Sequence, residues 1–293
     1  MWSKSNKWQY MKRFILFITI FIHSCIANSS NSQLVQENIN VDSPPKLKIA
    51  ICYWGLTRST KAVYKSHYEK IFDILDQHGI EYDVFMHTWR MQSKQRVNTI
   101  EIDTPIDYEE YKLLNPKYYQ IDDQDLFTSS LNFDNYFYQD AWDKNWIRID
   151  GEWLPNLILN HLCALESQKR VTEMVINSKN EYDLIMYVRP DVYISNNFPI
   201  HTLYTVNPND ILIPDFAHNE GYNDRFAVLD FQTAPIYSMR INEIIDFRKT
   251  QGRIVSEKYV KYICDYYNLN VKFIDFFFDI IRPPNTPDKT VEY

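Results

Sequence analysis

Tyr182-Asp-Leu-Ile-Met-Tyr-Val-Arg-Pro-Asp-Val-Tyr-Ile194 is the most informative segment of this 293-residue chain. Leu184–Val188 is an unbroken apolar run, which is typical of a β-strand buried on both faces of a parallel or mixed sheet. Pro190 lacks an N–H group for the sheet, so the strand is expected to end before it, with Arg189 and Asp191 at its carboxyl end. Ligands of open α/β sheets gather at this end of the strands, which makes the two charged residues a candidate polar site. The alternative is an ion pair in an exposed loop.

Strands and helices alternate on both sides of this segment. Residues 47–53 and 82–89 are predicted strands, and the amphipathic residues 61–78 between them are a predicted helix, together a right-handed crossover unit. Further helices are predicted over residues 156–178, 233–247 and 257–267, and further strands over residues 210–216, 226–229 and 271–281. The prediction for residues 46–293 is therefore a single α/β domain with a mixed, mostly parallel central sheet and helices on both faces. Residues 90–155 are predicted to be an insertion or loops over the sheet.

The first 27 residues have the pattern of a targeting segment. Four basic residues precede the apolar run of residues 14–22, and small residues follow where a signal peptidase could cut. The run has nine residues, against about 20 for a membrane-spanning helix, so a cleaved signal peptide is favoured over a retained signal anchor. Residues 28–45 are polar and end in Ser43-Pro-Pro45, as expected for a flexible stem. Both alternatives predict the lumen of the secretory pathway (ER or Golgi) or secretion, and an anchor adds type II membrane association.

The composition excludes several classes of partner and site. A formal net charge of −7 repels a polyphosphate backbone, and residues 46–293 contain no strongly basic stretch, so no nucleic-acid partner is expected. The chain has five glycines and carries neither a Walker loop nor a Rossmann fingerprint. Glycine-rich phosphate binding is therefore not expected.

Polar clusters occur at four predicted strand ends: residues 54–58, 87–89, 189–191 and 223–225. Together they predict one sheet edge that carries arginine, aspartate, histidine and aromatic side chains. Such an edge suits a negatively charged substrate with a flat ring. Arg58 is a candidate bidentate donor to phosphate, and Trp54 or Tyr53 is a candidate stacking partner for a base.

Two aspartates are the candidate catalytic residues. Asp191 offers the oxygen ligands that Mg²⁺ or Mn²⁺ prefers, and Asp224 is a candidate general base for an acceptor hydroxyl or a hydrogen-bonding partner of the transferred sugar. Structural alternatives remain open for most of these candidates. His87 would be a buried hydrogen-bonding histidine, Asp224 and Arg225 would pair with each other in a turn, and Arg58 would neutralise a helix or a surface acid. Tyr53 and Trp54 would be core residues.

Four of these segments together resemble a loosely defined group of glycosyltransferases found in large DNA viruses, algae and bacterial surface-polysaccharide clusters. They are Lys48-Ile-Ala-Ile-Cys-Tyr-Trp-Gly-Leu-Thr-Arg58, Tyr82-Asp-Val-Phe-Met-His-Thr-Trp89, Tyr182-Asp-Leu-Ile-Met-Tyr-Val-Arg-Pro-Asp-Val192 and Asn223-Asp-Arg-Phe226. The resemblance implies a GT-A-like fold for nucleotide-diphospho-sugar transfer, with the Arg-Pro-Asp motif in place of Asp-x-Asp. Arg189 replaces the first acid, so a fixed cation could itself hold the diphosphate.

The hypothesis of a glycosyltransferase gives each candidate residue a role. The donor would be bound by Tyr53, Trp54, Arg58, His87, Arg189 and Arg225, with Asp191 and Asp224 catalytic and Asp191 as ligand of an Mn²⁺ or Mg²⁺ ion. The expected function is transfer of a sugar from a nucleotide-diphosphate donor to a glycan, protein or lipid hydroxyl. A secreted carbohydrate-binding or scaffold protein without turnover is the alternative, since aromatic residues make up 16% of the chain. A sulfotransferase is less favoured, because no strand-loop-helix phosphate cradle is present.

Overall fold

The computed structural model describes residues 46–91, 106–136, 153–252 and 254–282. All of these residues belong to one compact unit, Pro45–Tyr293. The predicted targeting segment and stem lie outside the described residues, as do residues 92–105 and 137–152 of the predicted insertion. Among the described helices, none has the length and apolar character needed to cross a membrane.

A seven-stranded sheet forms the centre of the molecule. Its strands are β1 (Lys48–Trp54), β2 (Glu81–Arg90), β3 (Tyr118–Asp123), β4 (Leu184–Val188), β6 (Asp210–Pro214), β7 (Phe226–Asp230) and β8 (Asn270–Ile274). They lie in the order β3-β2-β1-β4-β7-β6-β8. The pairs β1–β2, β1–β4, β2–β3 and β6–β8 are parallel, whereas β7 runs antiparallel to both of its neighbours. This arrangement confirms the predicted α/β class with a mixed, mostly parallel sheet, and it is consistent with a GT-A-like fold.

Helices cover both faces of the sheet. Successive side chains of each strand point to opposite faces, so each central strand contributes to two core clusters. Ile49, Ile51 and Tyr53 of β1 pack in one core cluster, and Ala50, Cys52 and Trp54 pack in another. The first cluster includes residues of a helix that runs from α1 (Thr60–His67) through a π-helical turn (Tyr68–Phe72) into α2 (Asp73–Gln77). The second includes residues of α4 (Trp153–Asn177), α5 (Ala234–Ser238) and α7 (Ser256–Tyr267).

The predicted central strand lies in the middle of the sheet. All five residues of β4 are buried, between β1 on one side and β7 on the other. The prediction of a strand buried on both faces is therefore confirmed for the apolar run of β4, because helices cover both faces of the sheet there.

The predicted insertion and one predicted helix differ from their expected structure. Within the predicted insertion, residues 118–123 form β3, an edge strand of the main sheet, followed by the short helix α3 (Gln124–Ser129). The predicted helix over residues 233–247 is broken into α5, a 3₁₀ turn (Arg240–Glu243) and α6 (Ile244–Gln251). Arg240 is 2% exposed, and its backbone carbonyl accepts a hydrogen bond from the buried Tyr259 hydroxyl at this break.

The predicted last strand is divided between two sheets. Its first part is β8, and its second part, β9 (Phe278–Ile280), pairs antiparallel with β5 (Val192–Ile194) in a separate two-stranded sheet. Beyond this pair, the Ile281 N–H donates to the carbonyl oxygen of Asp191 at 2.9 Å. The Ser59 hydroxyl donates to the carbonyl oxygen of Ile281 at 2.7 Å. The end of the described chain is thereby fixed beside the Arg-Pro-Asp segment.

Candidate functional site

The four polar clusters lie at one edge of the sheet. β1, β2 and β4 are parallel, so the residues that follow them emerge on the same side, and Trp54 is paired in register with His87. β7 runs in the opposite direction, and its first residue, Phe226, pairs with Val188 at the end of β4. Residues 223–225 therefore begin at the edge where the other three clusters end, although they precede their strand.

A cavity of about 210 Å³ opens at this edge. Five of the predicted site residues line it: Trp54, Arg58, Arg189, Asp191 and Asp224. Among the described residues, the charged side chains on its wall are three arginines and two aspartates. The described part of the wall therefore has more cationic than anionic side chains, in a chain whose formal net charge is −7.

Asp191 is the buried centre of an arginine cluster. Its side chain is 2% exposed, and it accepts hydrogen bonds from Arg189 Nε at 2.8 Å and Arg189 Nη2 at 2.7 Å. Arg58 donates to the Oδ2 atom of the same carboxylate from Nε at 3.2 Å and from Nη2 at 3.0 Å. Arg58, which is far from Asp191 in the sequence, thus contacts the buried carboxylate of Asp191 directly.

Burial by itself raises the pKa of the Asp191 carboxyl, but the positive charges of Arg189 and Arg58 outweigh it, with a further contribution from Arg282. The pKa of this group therefore lies well below its usual range, and Asp191 is ionised at neutral pH. A buried carboxylate is stable only where such partners compensate its lost hydration.

Arg282 is a site residue that the sequence analysis missed. It lines the cavity, and its charge acts on Asp191. β9 and the hydrogen bonds of Ile281 bring it there from the far end of the chain. The only sequence signal is an arginine that follows an apolar run near the last prolines, which does not indicate a position in the fold.

Asp224 lines the cavity, whereas its neighbour Arg225 is not among the lining residues. Arg225 Nη2 lies 3.6 Å from Glu257 Oε1, and Arg225 Nε lies 3.9 Å from Asp224 Oδ1. Asn223 orients this turn, because its side-chain amide donates to the Phe216 carbonyl at 3.0 Å and its oxygen accepts from the Arg225 N–H at 2.9 Å. In this structure Arg225 supports the Asp224 turn, and its predicted contact with the donor stays a prediction.

Tyr53 does not lie in the cavity. It is fully buried in the core cluster on the opposite face of the sheet from Trp54, because adjacent residues of a strand point to opposite faces. Its hydroxyl lies 3.0 Å from His67 Nδ1, and His67 Nε2 lies 2.9 Å from the carbonyl oxygen of Val192. Instead of stacking on a base, Tyr53 supports the backbone directly after Asp191.

His87 is fully buried behind the cavity wall. Its Nδ1 lies 2.7 Å from Ser167 Oγ, and its Nε2 lies 3.1 Å from Asp122 Oδ2. Ser167 Oγ also accepts a hydrogen bond at 2.8 Å from the N–H of Gly55, which lines the cavity. Burial lowers the pKa of His87, against the opposing effect of Asp122, so the ring is neutral. The predicted contact of His87 with the donor is therefore wrong for this structure. His87 instead supports the Gly55 loop through Ser167.

Two aromatic side chains of the cavity wall retain a buried ring nitrogen that has no hydrogen-bond partner among the described residues. These nitrogens are Trp54 Nε1 and His161 Nε2. Burial lowers the pKa of His161 to about 4, although Asp224 opposes the shift, so its ring is neutral at pH 7. An unsatisfied buried donor costs about 1–3 kcal/mol, which a polar ligand or an ordered water in the cavity would relieve.

The face of the Trp54 indole ring already contacts the guanidinium group of Arg189. The Arg189 guanidinium carbon lies 5.7 Å from the centre of the indole ring, and Trp54 is 3% exposed. This cation–π contact orients Arg189 toward Asp191. Trp54 is therefore a wall of the arginine cluster, and a base that stacks on it would first have to displace that contact.

The surroundings of Asp191 do not suit a divalent cation. Each of its oxygens already accepts a guanidinium hydrogen bond, and a cation beside Asp191 would stand next to three positive side chains. Across the part of the chain that the structure describes, no three histidine, cysteine, aspartate or glutamate residues cluster as metal ligands do.

Comparison with protein-family models and with curated proteins finds no match for this chain. The fold and the cavity define it as an α/β protein with an arginine-containing cavity at the carboxyl edge of its sheet.

Proposed function

We propose that the protein is a glycosyltransferase that uses a nucleotide-diphosphate sugar donor. The observation that carries the proposal is the convergence of Arg58 and Arg189 on the buried Asp191 in a cavity that Asp224 also lines. The resemblance in the sequence lies on the same segments. A sugar transferase needs cations for the leaving diphosphate and a base for the acceptor, and this cavity offers both kinds of side chain.

Electrostatic stabilisation of the leaving group is the main catalytic contribution under this proposal. As the bond between the anomeric carbon and the diphosphate oxygen breaks, that oxygen gains negative charge. Guanidinium groups bind phosphate oxygens through paired N–H donors in a planar fork, and Asp191 holds Arg58 and Arg189 in place before the substrate arrives. Preorganised cations of this kind need no rearrangement when the charge develops.

Asp224 acts on the acceptor under the same proposal. An acceptor hydroxyl forms the new bond to the anomeric carbon and passes its proton to the Asp224 carboxylate, while the diphosphate leaves with the bonding electron pair. The side chain of Asp224 is 14% exposed and is paired with Arg225 only at 3.9 Å, so it remains available to a ligand in the cavity. An alternative role for Asp224 is a hydrogen bond to the transferred sugar.

The test is a transfer assay with the purified full chain and a panel of nucleotide sugars and glycan acceptors. Release of free nucleotide together with a glycosylated product supports the proposal. Asp224→Asn is expected to lower turnover at least about 100-fold if Asp224 is the base. Asp265→Asn is the matched control, because Asp265 is 60% exposed and pairs with Lys261 on the surface. No nucleotide release from any donor would reject the proposal.

A carbohydrate-binding protein without turnover is the second candidate, and one surface feature favours it. Phe273 on the edge strand β8 is 48% exposed, and its ring centre lies 4.9 Å from that of His218 and 5.8 Å from that of Tyr222. Exposed aromatic rings suit stacking on sugars. Glycan binding that is lost in Phe273→Ala, with no effect of any nucleotide, would support this candidate over the transferase.

We further propose that the protein acts in the lumen of the secretory pathway or after secretion, with a type II anchor as the alternative to a cleaved signal. The support is the basic and apolar pattern of residues 1–27. Expression in a secreting eukaryotic cell, followed by N-terminal sequencing, separates the two. Cytosolic recovery of the intact chain would reject both.

A further inference from the structure

Three arginines from distant parts of the sequence surround one carboxylate. Arg58 follows β1, Arg189 follows β4, and Arg282 follows β9. All three line the cavity, and all three lower the pKa of Asp191 through their charges. Among the described residues, the Asp191 carboxylate thus lies within the electrostatic influence of three guanidinium groups.

A short strand pairing and two hydrogen bonds of Ile281 bring Arg282 to the cavity. β9 pairs with β5, which begins one residue after Asp191, and the Ile281 N–H continues the pairing by bonding the Asp191 carbonyl. Ser59, next to Arg58, fixes the Ile281 carbonyl. The backbone around Arg282 is therefore tied to both of the segments that carry the other two arginines.

A divalent cation does not fit this arrangement. Binding at Asp191 would require the carboxylate to exchange guanidinium hydrogen bonds for metal bonds, and it would add two positive charges beside three others. The opposite holds for a diphosphate. Its negative charges attract the three guanidinium groups that line the cavity, and its oxygens accept hydrogen bonds from guanidinium forks.

We propose that Arg58, Arg189 and Arg282 bind the donor diphosphate directly, without a divalent cation, and that Asp191 is the buried anchor that orients them. This inference rests on the proposed function and names how that site recognises its donor. Asp191 is a positioning residue under this proposal, because the diphosphate contacts the guanidinium groups and not the carboxylate.

Isothermal titration of the full chain with UDP, GDP, CDP and inorganic pyrophosphate tests the inference, in EDTA and in Mn²⁺ at equal ionic strength. At least one nucleoside diphosphate is expected to bind with the same affinity in both buffers. Arg282→Gln is expected to weaken that binding about ten-fold or more, since it removes charge-assisted hydrogen bonds. Lys249→Gln is the matched control, because it removes the same charge from an exposed position outside the cavity wall.

A second variant keeps the test decisive if Arg282→Gln is unstable. Arg282→Lys retains the charge and loses the planar fork, so its affinity is expected to lie between those of the wild type and Arg282→Gln. Unchanged affinity in the folded Arg282 variants would overturn the inference. Binding by none of the four probes in either buffer would overturn it as well.

The inference and the proposed function fail in different ways. Diphosphate binding or sugar transfer that appears only with Mn²⁺ would overturn the metal-free site and leave the transferase standing. Binding in EDTA that depends on Arg282, without transfer from any nucleotide sugar, would support the guanidinium site and reject the transferase.

Discussion

Arg58 Nη2 lies 3.0 Å from Asp191 Oδ2, although 133 residues of sequence separate the two. Their side chains are 8% and 2% exposed. Since β1 and β4 are adjacent and parallel, the loop after one strand and the turn after the other open on the same side of the sheet. This ion pair links two of the four segments that carry the resemblance, and the rest of the proposed site surrounds it.

Loss of the Asp191 charge should destabilise the fold. Asp191→Asn keeps the shape of the side chain and leaves the guanidinium groups of Arg58 and Arg189 without their buried counter-charge. Breaking a buried ion pair on one side costs about 3–5 kcal/mol in free energy of unfolding, to be measured by urea denaturation. The exposed Asp265→Asn control should change it by less than about 0.5 kcal/mol. Equal stability of the two variants would show that the cluster is not buried as described.

Stability should fall in mild acid, and His67 should be one cause. Burial lowers the pKa of His67 to about 4, against opposing effects of the Val192 carbonyl and of Asp191. Below the usual histidine pKa of about 6.5 the unfolded chain takes up a proton that the folded protein does not, so the free energy of unfolding decreases as the pH drops toward 4. The loss is on the order of 3 kcal/mol for one such histidine.

Denaturation at a series of pH values between 7.5 and 4.5 measures this slope. His67→Gln has no titrating group there, so its free energy of unfolding should depend less steeply on pH than that of the wild type. Parallel pH profiles would contradict the assignment. Carboxylates such as Asp191, whose pKa is lowered, add their own loss only at still lower pH.

Gly221 should not tolerate a side chain. A Cβ atom at this position would lie 1.9 Å from the backbone oxygen of Glu257, at the start of α7. Gly221→Ala must therefore push the turn that carries Asp224 away from the helix, with a cost of about 1–3 kcal/mol and reduced sugar transfer. Gly79→Ala is a useful comparison, because no atom would approach its Cβ within 4 Å and its φ of +64° should cost only backbone strain. A transfer rate unchanged by Gly221→Ala would argue against this turn as part of the site.

Ser167 should affect the cavity without touching a ligand. Ser167→Ala removes the acceptor of the Gly55 N–H and the partner of His87 Nδ1. The expected cost is about 1–3 kcal/mol in stability, together with weaker donor binding, because Gly55 lines the cavity. Thr172→Val is the control, because Thr172 also forms buried hydrogen bonds on the same helix, to Gln168 and Tyr187, and does not line the cavity. Equal donor affinity in the two variants would contradict a positioning role for Ser167.

Local sequence patterns predict the centre of the molecule well. β4 is found because an apolar run followed by Arg-Pro-Asp contains both the buried strand and its end. The shared edge follows from parallel strand direction, which brings Arg58 and Asp191 together without any knowledge of side-chain contacts. The edge strand β3 is missed because it is only half buried and its sequence, with two aspartates and a glutamine, lacks an apolar pattern.

The residues that sequence patterns misplace are those whose role depends on packing. Tyr53 and Trp54 are adjacent aromatics of one strand, and only the assembled sheet decides which of them faces the cavity. Arg282 reaches the site through a pairing of two three-residue strands, which are too short to leave a pattern. His87 has the residue type of a catalyst, but burial behind Trp89 gives it a supporting role.

The most direct test of the central claim is a crystal structure of the protein soaked with the nucleoside diphosphate that binds it most tightly. We expect phosphate oxygens to lie within hydrogen-bond distance of the Arg58 and Arg189 guanidinium groups, with Asp224 facing the open side of the cavity. A nucleotide bound elsewhere on the surface, with the arginine cluster unchanged and without ligand, would contradict it.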